Sequence, residues 1–295
     1  MGKKILVTGA SGQLGRLVVE HLLDTFQLPA ADIAVGSRDP GKLADLAARG
    51  VETVRIDFDD SHSLAEGFAG AGRILLISTD AIGEPGKRLT QHVAAVKAAS
   101  NAGAERILYT SMPSAEDNRI AFGPDHHGTE QAIHDCGLPY TIFRNGWYME
   151  NLFMSLPQAL AGGQWFSAAG DGVLAHAARD DIARAIAAGL ASPAAESVTY
   201  TLTGSEPLDT KAIAALVSEI TGKPLAVIDV SDTDLAQGMA AAGVPQALIP
   251  TFVSFDTNTR EGKIAMVTND IETLTGSKPV TLRAFLEANK AALDA

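Results

Sequence analysis

Three glycines spaced Gly9-x-x-Gly12-x-x-Gly15 follow directly on the apolar run Ile5-Leu6-Val7. These residue types at this spacing suit the diphosphate of a dinucleotide. Gly9 permits a tight turn that a Cβ would obstruct, Gly12 lets a diphosphate approach the backbone, and Gly15 lets the following helix sit close to a sheet. The amides that open that helix lack partners and would face the phosphates. Farther on, where NAD-selective folds place an acid for the ribose 2′-hydroxyl, the chain has Ser37 and Arg38. Ser37 can hydrogen-bond an oxygen there, and Arg38 can fork onto a 2′-phosphate and stack on adenine. NADP(H) is therefore expected over NAD(H). Asp39, beside Pro40, is expected to cap the next helix. Asp57 and Phe58 are expected beside the adenine, as an acceptor and a flat wall, with core packing the other reading of Phe58. His126, His127 and His134 invite a metal reading, but positions 127 and 134 lie two turns apart and no carboxylate pattern completes a site. No metal is expected.

The elements that must position these residues alternate. Strands are expected over 33–36, 51–56, 73–78, 106–110 and 140–143, and helices after Gly12 and over 61–68, 89–101 and 129–136. That order predicts an α/β fold, a Rossmann doubly wound parallel sheet, with a crevice at the carboxyl ends of the strands. Topology alone places there residues 9–13, Ser37, Arg38, Asp57, Phe58, Ser78, Thr79, 110–112 (with Ser111) and 143–147. Beyond Asn151 the pattern changes. Strands over 164–167, 198–202 and 225–230 mix with helices over 210–221, 233–242 and 281–293. The expected division is an NADP-binding Rossmann domain over 1–150 and a smaller α/β substrate lobe over 151–295, some segments of which return to the first domain.

Composition narrows the function classes. The chain has 295 residues, 46% of them hydrophobic, enough for a substantial interior. Its net charge of −12 argues against nucleic-acid binding over the whole surface. The single cysteine, Cys136, excludes an intramolecular disulfide and fits a reducing compartment. No run of about 18 apolar residues exists, so no membrane span is expected. The opening Met1-Gly2-Lys3-Lys4 leads into a strand rather than a leader, and Leu6 stands where an N-myristoylation site wants Ser or Thr. A cytoplasmic location is expected. The oligomeric state is open, with a homodimer as the candidate.

Three segments together carry a family resemblance: Thr8-Gly9-Ala10-Ser11-Gly12-Gln13-Leu14-Gly15, Ser37-Arg38-Asp39-Pro40, and Arg144-Asn145-Gly146-Trp147-Tyr148-Met149-Glu150-Asn151. The chain resembles the NmrA-like atypical short-chain dehydrogenases, and among them the type 2 NAD(P)H:quinone oxidoreductases and triphenylmethane dye reductases. The resemblance covers nearly the whole chain. It implies an NADPH-binding Rossmann domain, a small C-terminal lobe and a ligand cleft. It assigns Gly9, Ser11, Gly12, Gln13 and Leu14 to the diphosphate and Arg38 to the 2′-phosphate. Ser78 and Thr79 fall to the ribose and phosphate path, and Asn145, Gly146, Trp147 and Tyr148 to the nicotinamide and substrate. His126, four residues before Glu130, is then a candidate donor to the nicotinamide ribose.

The departures bear on mechanism. No tyrosine has Lys four residues on, so the acid pair of ordinary ketone reduction is missing, and Ser111 alone cannot replace it. Gln131 stands where close relatives carry Lys. A quinone tolerates this loss, because its reduction yields a resonance-stabilised anion that water can protonate. The reading is hydride transfer from NADPH to a flat electrophile held in a dry slot. Trp147, Tyr148 and Phe153 are the expected walls. His126, Tyr148 and Asn145 are the candidate catalytic groups. The alternatives are a non-catalytic NADP-sensing regulator of the same family and a reductase of a dye or an imine.

Overall fold

The computed structural model describes residues 3–194 and 196–293; Met1 and Gly2, on which the leader and acylation readings partly rest, lie outside them. The chain divides into two compact units. The first comprises residues 1–112, 125–145 and 182–201, and the second residues 113–124, 146–181 and 202–295.

The first unit is built on a sheet whose strands are β1 (Lys4–Val7), β2 (Ile33–Ser37), β3 (Glu52–Arg55), β4 (Ala71–Leu76), β5 (Arg106–Ser111) and β6 (Tyr140–Asn145). They pair in parallel in the order β3-β2-β1-β4-β5-β6, and the strand Val198–Leu202 completes seven at the β6 edge. The helices are α1 (Gln13–Glu20), α2 (Ala44–Ala48), α3 (Ser61–Phe68), α4 (Lys87–Asn101) and α5 (Gly123–Asp135). Central strands covered on both faces need apolar residues throughout. Accordingly Ile5, Leu6, Val7, Ile74, Leu75, Ile107 and Leu108 are all at most 2% exposed. The order reverses between β1 and β4, so the chain leaves their carboxyl ends in opposite directions and opens a crevice there. The doubly wound sheet expected from the sequence is thus present, and it matches known folds as described below.

The helix Arg179–Ala191 also belongs largely to this unit. A Cβ on its Gly189 would come within 2.6 Å of the Phe143 ring, so glycine permits close packing on β6. Arg73 donates to the carbonyls of Leu190 and Ser192, and Arg106 to that of Ala194, which satisfies carbonyls at and beyond the helix end.

The second unit has its own core, formed by Met149, Leu152, Leu156, Ile213, Val217, Leu282, Phe285 and Leu286 among others. It contains two small two-stranded sheets, Leu208–Asp209 against Val173–Leu174 and Ala226–Asp229 against Gln164–Ser167. The helix Thr210–Thr221 is capped by the Asp209 side chain and ends at left-handed Gly222 (φ +73°). The helix expected over 281–293 is shorter: it runs Leu282–Ala288, breaks at Asn289 and resumes as a 3-10 turn, Lys290–Leu293.

Candidate functional site

The glycine turn forms a notch at the carboxyl end of β1. Gly9 has φ +62°, where a side chain is strained. A Cβ on Gly15 would lie 2.5 Å from the Gly9 carbonyl oxygen, so glycine is what lets α1 sit against the turn. Gly12 is the N-cap and offers no side chain to the first turn of α1. The amides of Gln13, Leu14 and Gly15 therefore open the helix without intrahelical partners. Gly9, Ser11, Gly12 and Gln13 are exposed at the notch, whereas Leu14 is buried beneath it. Exposed glycine backbone at an uncapped helix N-terminus fits a diphosphate, and this geometry is the test that a dinucleotide passes.

At the end of β2, Ser37 is buried and its hydroxyl lies 2.9 Å from that of Ser11. Arg38 points outward, with the Asp80 carboxylate 3.5 Å away. Asp39 accepts from the Gly41 amide and caps the turn Pro40–Leu43. At the end of β3, Asp57 is held by the Asp59 amide and by Arg55. Phe58 packs against the apolar core of this unit, which favours core packing over an adenine wall.

At the end of β4, Ser78 donates its amide to Thr110 Oγ1. Thr79 is anchored twice: its amide donates to His92 Nε2 at 2.9 Å and its hydroxyl to Gln91 Oε1 at 2.8 Å. Gln91 in turn donates to Asp59. Behind Thr79 lies a buried polar cluster. Arg88 Nη2 donates to His126 Nε2 at 3.0 Å, and His126 Nδ1 meets the Tyr109 hydroxyl at 2.8 Å. His92 Nδ1 meets Thr129 Oγ1 at 2.9 Å, and Thr129 donates to the Asp125 carbonyl. An arginine and an amide can only donate, so Nε2 accepts on both rings and each carries its proton on Nδ1. Burial, reinforced by the charge of Arg88, pushes His92 down to about 3 and holds His126 well below the usual histidine range. Both rings are neutral. Burial also raises the Tyr109 hydroxyl well above its ordinary value.

This arrangement corrects the expectation for His126. Its ring is 4% exposed and both nitrogens are engaged by Arg88 and Tyr109, so it supports the floor of the site from within instead of presenting a donor at its surface. The functional reading of the sequence passed over Arg88, His92 and Tyr109. A signal was present: Arg88, Gln91 and His92 share one face of α4 with Ala95 and Ala99, and that face is buried.

At the end of β5, Ser111 donates to Glu130 Oε1 at 2.5 Å. Arg144, from β6, grips the same carboxylate with Nε at 3.0 Å and Nη2 at 2.7 Å. Glu130 is 2% exposed. The segment where ordinary short-chain dehydrogenases carry a lysine therefore holds a buried anion, and Gln131 beside it is exposed. Asn145 ends β6 and is buried.

Gly146, Trp147 and Tyr148 belong to the second unit. A Cβ on Gly146 would press to 2.8 Å on the Leu202 carbonyl oxygen, which accepts the Gly146 amide. Trp147 meets the Phe255 ring edge-on at 4.6 Å. Arg179 lies over the Tyr148 ring, 4.8 Å from its centre. Phe153 stacks on Phe285 within this unit's core, which assigns it to packing rather than to a substrate wall. Among the described residues no three His, Cys, Asp or Glu side chains come together as a metal site, and no helix is long and apolar enough to cross a membrane.

The NmrA-like family model matches residues 1–286. The chain belongs to the NmrA-like family. It is 34% identical over 278 residues to quinone oxidoreductase 2 of Escherichia coli, covering 94% of this chain and 96% of that one. It is 26% identical to the NAD(P)H azoreductase of Xenophilus azovorans, covering 99% of each. Among solved structures, it matches the Escherichia coli NADPH-dependent quinone oxidoreductase complexed with NADPH at a TM-score of 0.92, with 33% identity and coverage of 97% and 99%. The Citrobacter sp. triphenylmethane reductase complexed with NADP(H) follows at 0.89, with 32% identity and coverage of 98% and 100%. The doubly wound fold of this NmrA-like protein is thus one on which relatives bind a phosphorylated nicotinamide dinucleotide.

Proposed function

We propose that this NmrA-like protein is an NADPH-dependent oxidoreductase acting on a quinone or a similarly flat electrophile. The observation that carries the reading is how the hydroxyls near the end of β5 are engaged. Reduction of a simple ketone needs an acidic hydroxyl to meet the developing alkoxide. The Tyr109 hydroxyl is buried, and its pKa is raised. Ser111 already gives its proton to the Glu130 carboxylate. Neither group is set up to protonate an alkoxide. A quinone accommodates this, since hydride addition gives a delocalised anion that takes its second proton from solvent. The names of the relatives, a quinone reductase, an azoreductase and a dye reductase, point to acceptors of this class.

In this reading the bound NADPH supplies the hydride, and the chain binds and orients. Gly9, Ser11, Gly12, Gln13 and Leu14 form the diphosphate notch. Ser37 and Arg38 meet the 2′-phosphate, and Ser78 and Thr79 line the ribose path. Ser111 turns an oxygen lone pair, not a proton, to its surroundings, because its proton is committed to Glu130. Asn145, Gly146, Trp147 and Tyr148 border the nicotinamide and the acceptor, with Tyr148 the remaining candidate donor. The setting we propose, consistent with a single cysteine and with no helix among the described residues long and apolar enough to span a membrane, is the cytoplasm.

The test is purified protein with NADPH and a panel of quinones, followed by the near-ultraviolet absorbance of NADPH. Oxidation that requires the acceptor supports the enzyme. Tight NADPH binding with no oxidation by any acceptor would establish the sensor reading instead.

A further inference from the structure

The exposed face between the ends of β2 and β4 carries a second feature. Arg38 and Asp80 face each other at 3.5 Å, their side chains 71% and 83% exposed. Close by, Lys87 pairs with Glu84 at 3.0 Å and feels the charge of Arg38. Two cations and two carboxylates thus share the surface on which a 2′-phosphate is expected. Asp80 is not on a loose loop end. It follows Thr79, whose amide and hydroxyl are tied to His92 and Gln91 on α4.

We propose that Asp80 is a specificity-determining residue: it occupies Arg38 when the 2′-phosphate site is empty and so lowers the preference for NADPH over NADH. The proposal rests on the reading of Arg38 as the 2′-phosphate ligand. A phosphate takes the guanidinium fork in two points with up to two charges, whereas Asp80 reaches it at one long contact with one charge. The phosphate therefore displaces the carboxylate. The displaced carboxylate cannot move far, because the residue before it is anchored twice, and it stays within a screening length of the incoming dianion. Both effects weaken binding of the 2′-phosphorylated nucleotide. Neither acts on NADH, which lacks that phosphate.

The experiment measures dissociation constants for NADPH and NADH, by calorimetry without any acceptor, in the wild type, Asp80→Asn, Arg38→Ala and the double variant. Asp80→Asn is expected to tighten NADPH by about threefold to fivefold at low salt and less at high salt, and to leave NADH unchanged within about 1.5-fold. In the Arg38→Ala background the same change is expected to tighten NADPH clearly less than in the wild type, because only the repulsion between carboxylate and phosphate is left to relieve. Asp80 is exposed, so its variant should melt where the wild type does. An unchanged NADPH constant, or equal tightening of both nucleotides, overturns the proposal. Its failure is distinct from that of the underlying reading. If Arg38→Ala lowers the NADPH preference but Asp80→Asn changes nothing, only the Asp80 proposal falls. If Arg38→Ala leaves the preference intact, the reading of Arg38 falls and takes the proposal with it.

Discussion

His92 has a 2% exposed ring that accepts the Thr79 amide and donates to Thr129, so it works only as a neutral base. Its pKa falls from 6.5 to about 3 on folding, that of His176 to about 4, and that of His126 falls well below the ordinary value. Between about pH 4 and the ordinary pKa, the unfolded chain binds protons that the folded one refuses. Stability therefore rises with pH through that window and is fully present above it. Each such histidine contributes a slope of about 1.4 kcal/mol per pH unit. His92→Gln keeps an acceptor for Thr79 and removes one proton, so urea midpoints across the window should give a slope shallower by about that amount. An unchanged slope would mean that His92 is charged or exposed. Gly15→Ala tests the notch. Its Cβ would meet backbone at 2.5 and 2.9 Å, which cannot swing aside, so a loss of about 1–3 kcal/mol and weaker nucleotide binding are expected in denaturation and titration. At this scale the glycine turn is legible because Gly9 and Gly15 each answer a local backbone requirement. Glu130 and Arg144 were not, since their meaning comes from a contact 14 residues apart that only the fold creates. The position of His126 is set the same way: no local pattern tells whether a histidine faces a ligand or, as here, an arginine and a tyrosine inside the unit.

Helix α5 shows what one carboxylate does for a whole element. Through Glu130 it is tied to Ser111 on β5 and Arg144 on β6, whose backbones are direct neighbours in the sheet. Removing the charge leaves a partly buried guanidinium with a weaker partner. Glu130→Gln should cost about 2–4 kcal/mol, less than for a fully enclosed pair because Arg144 is 23% exposed, and a shift in denaturant midpoint measures it. The elements that were legible have strong periods or stops. Helix α3 begins and ends where expected, with Asp60 accepting the His62 and Ser63 amides as its cap. The helix Arg179–Ala191 escaped notice because it is Ala-rich and buried on most sides, with Ile182, Ala183, Ala187 and Leu190 all inaccessible, so it shows no polar face to set a period. The helix Ile249–Arg260 is rich in Thr and Phe, which read as strand or loop, and its Pro250 stands in the first turn, where proline is tolerated.

Among the described residues, one core lies among the strands and helices of the first unit and another around Leu156, Val217 and Phe285 in the second. A ligand that binds only the native first unit stabilises it by mass action, about 2.7 kcal/mol at a hundredfold excess over the dissociation constant. Melting with NADPH and NADH at equal concentrations should therefore show the larger upward shift with NADPH, and equal shifts would remove the role given to Arg38. The chain's path through these units was only partly legible. Strand and helix alternation shows up to residue 145 because each strand and most of the helices there carry their own local apolar pattern. The return of residues 182–201 does not, because nothing local marks a helix that serves a sheet begun far upstream.

That return has a practical cost for anyone dividing the gene. A fragment ending at residue 150 loses the lid helix over Phe143 and the carbonyls that Arg73 and Arg106 hold, and β6 becomes a raw border with open amides. Such a border recruits other chains, so the piece should be recovered as aggregate, whereas a single chain ending after residue 202 keeps that flank sealed.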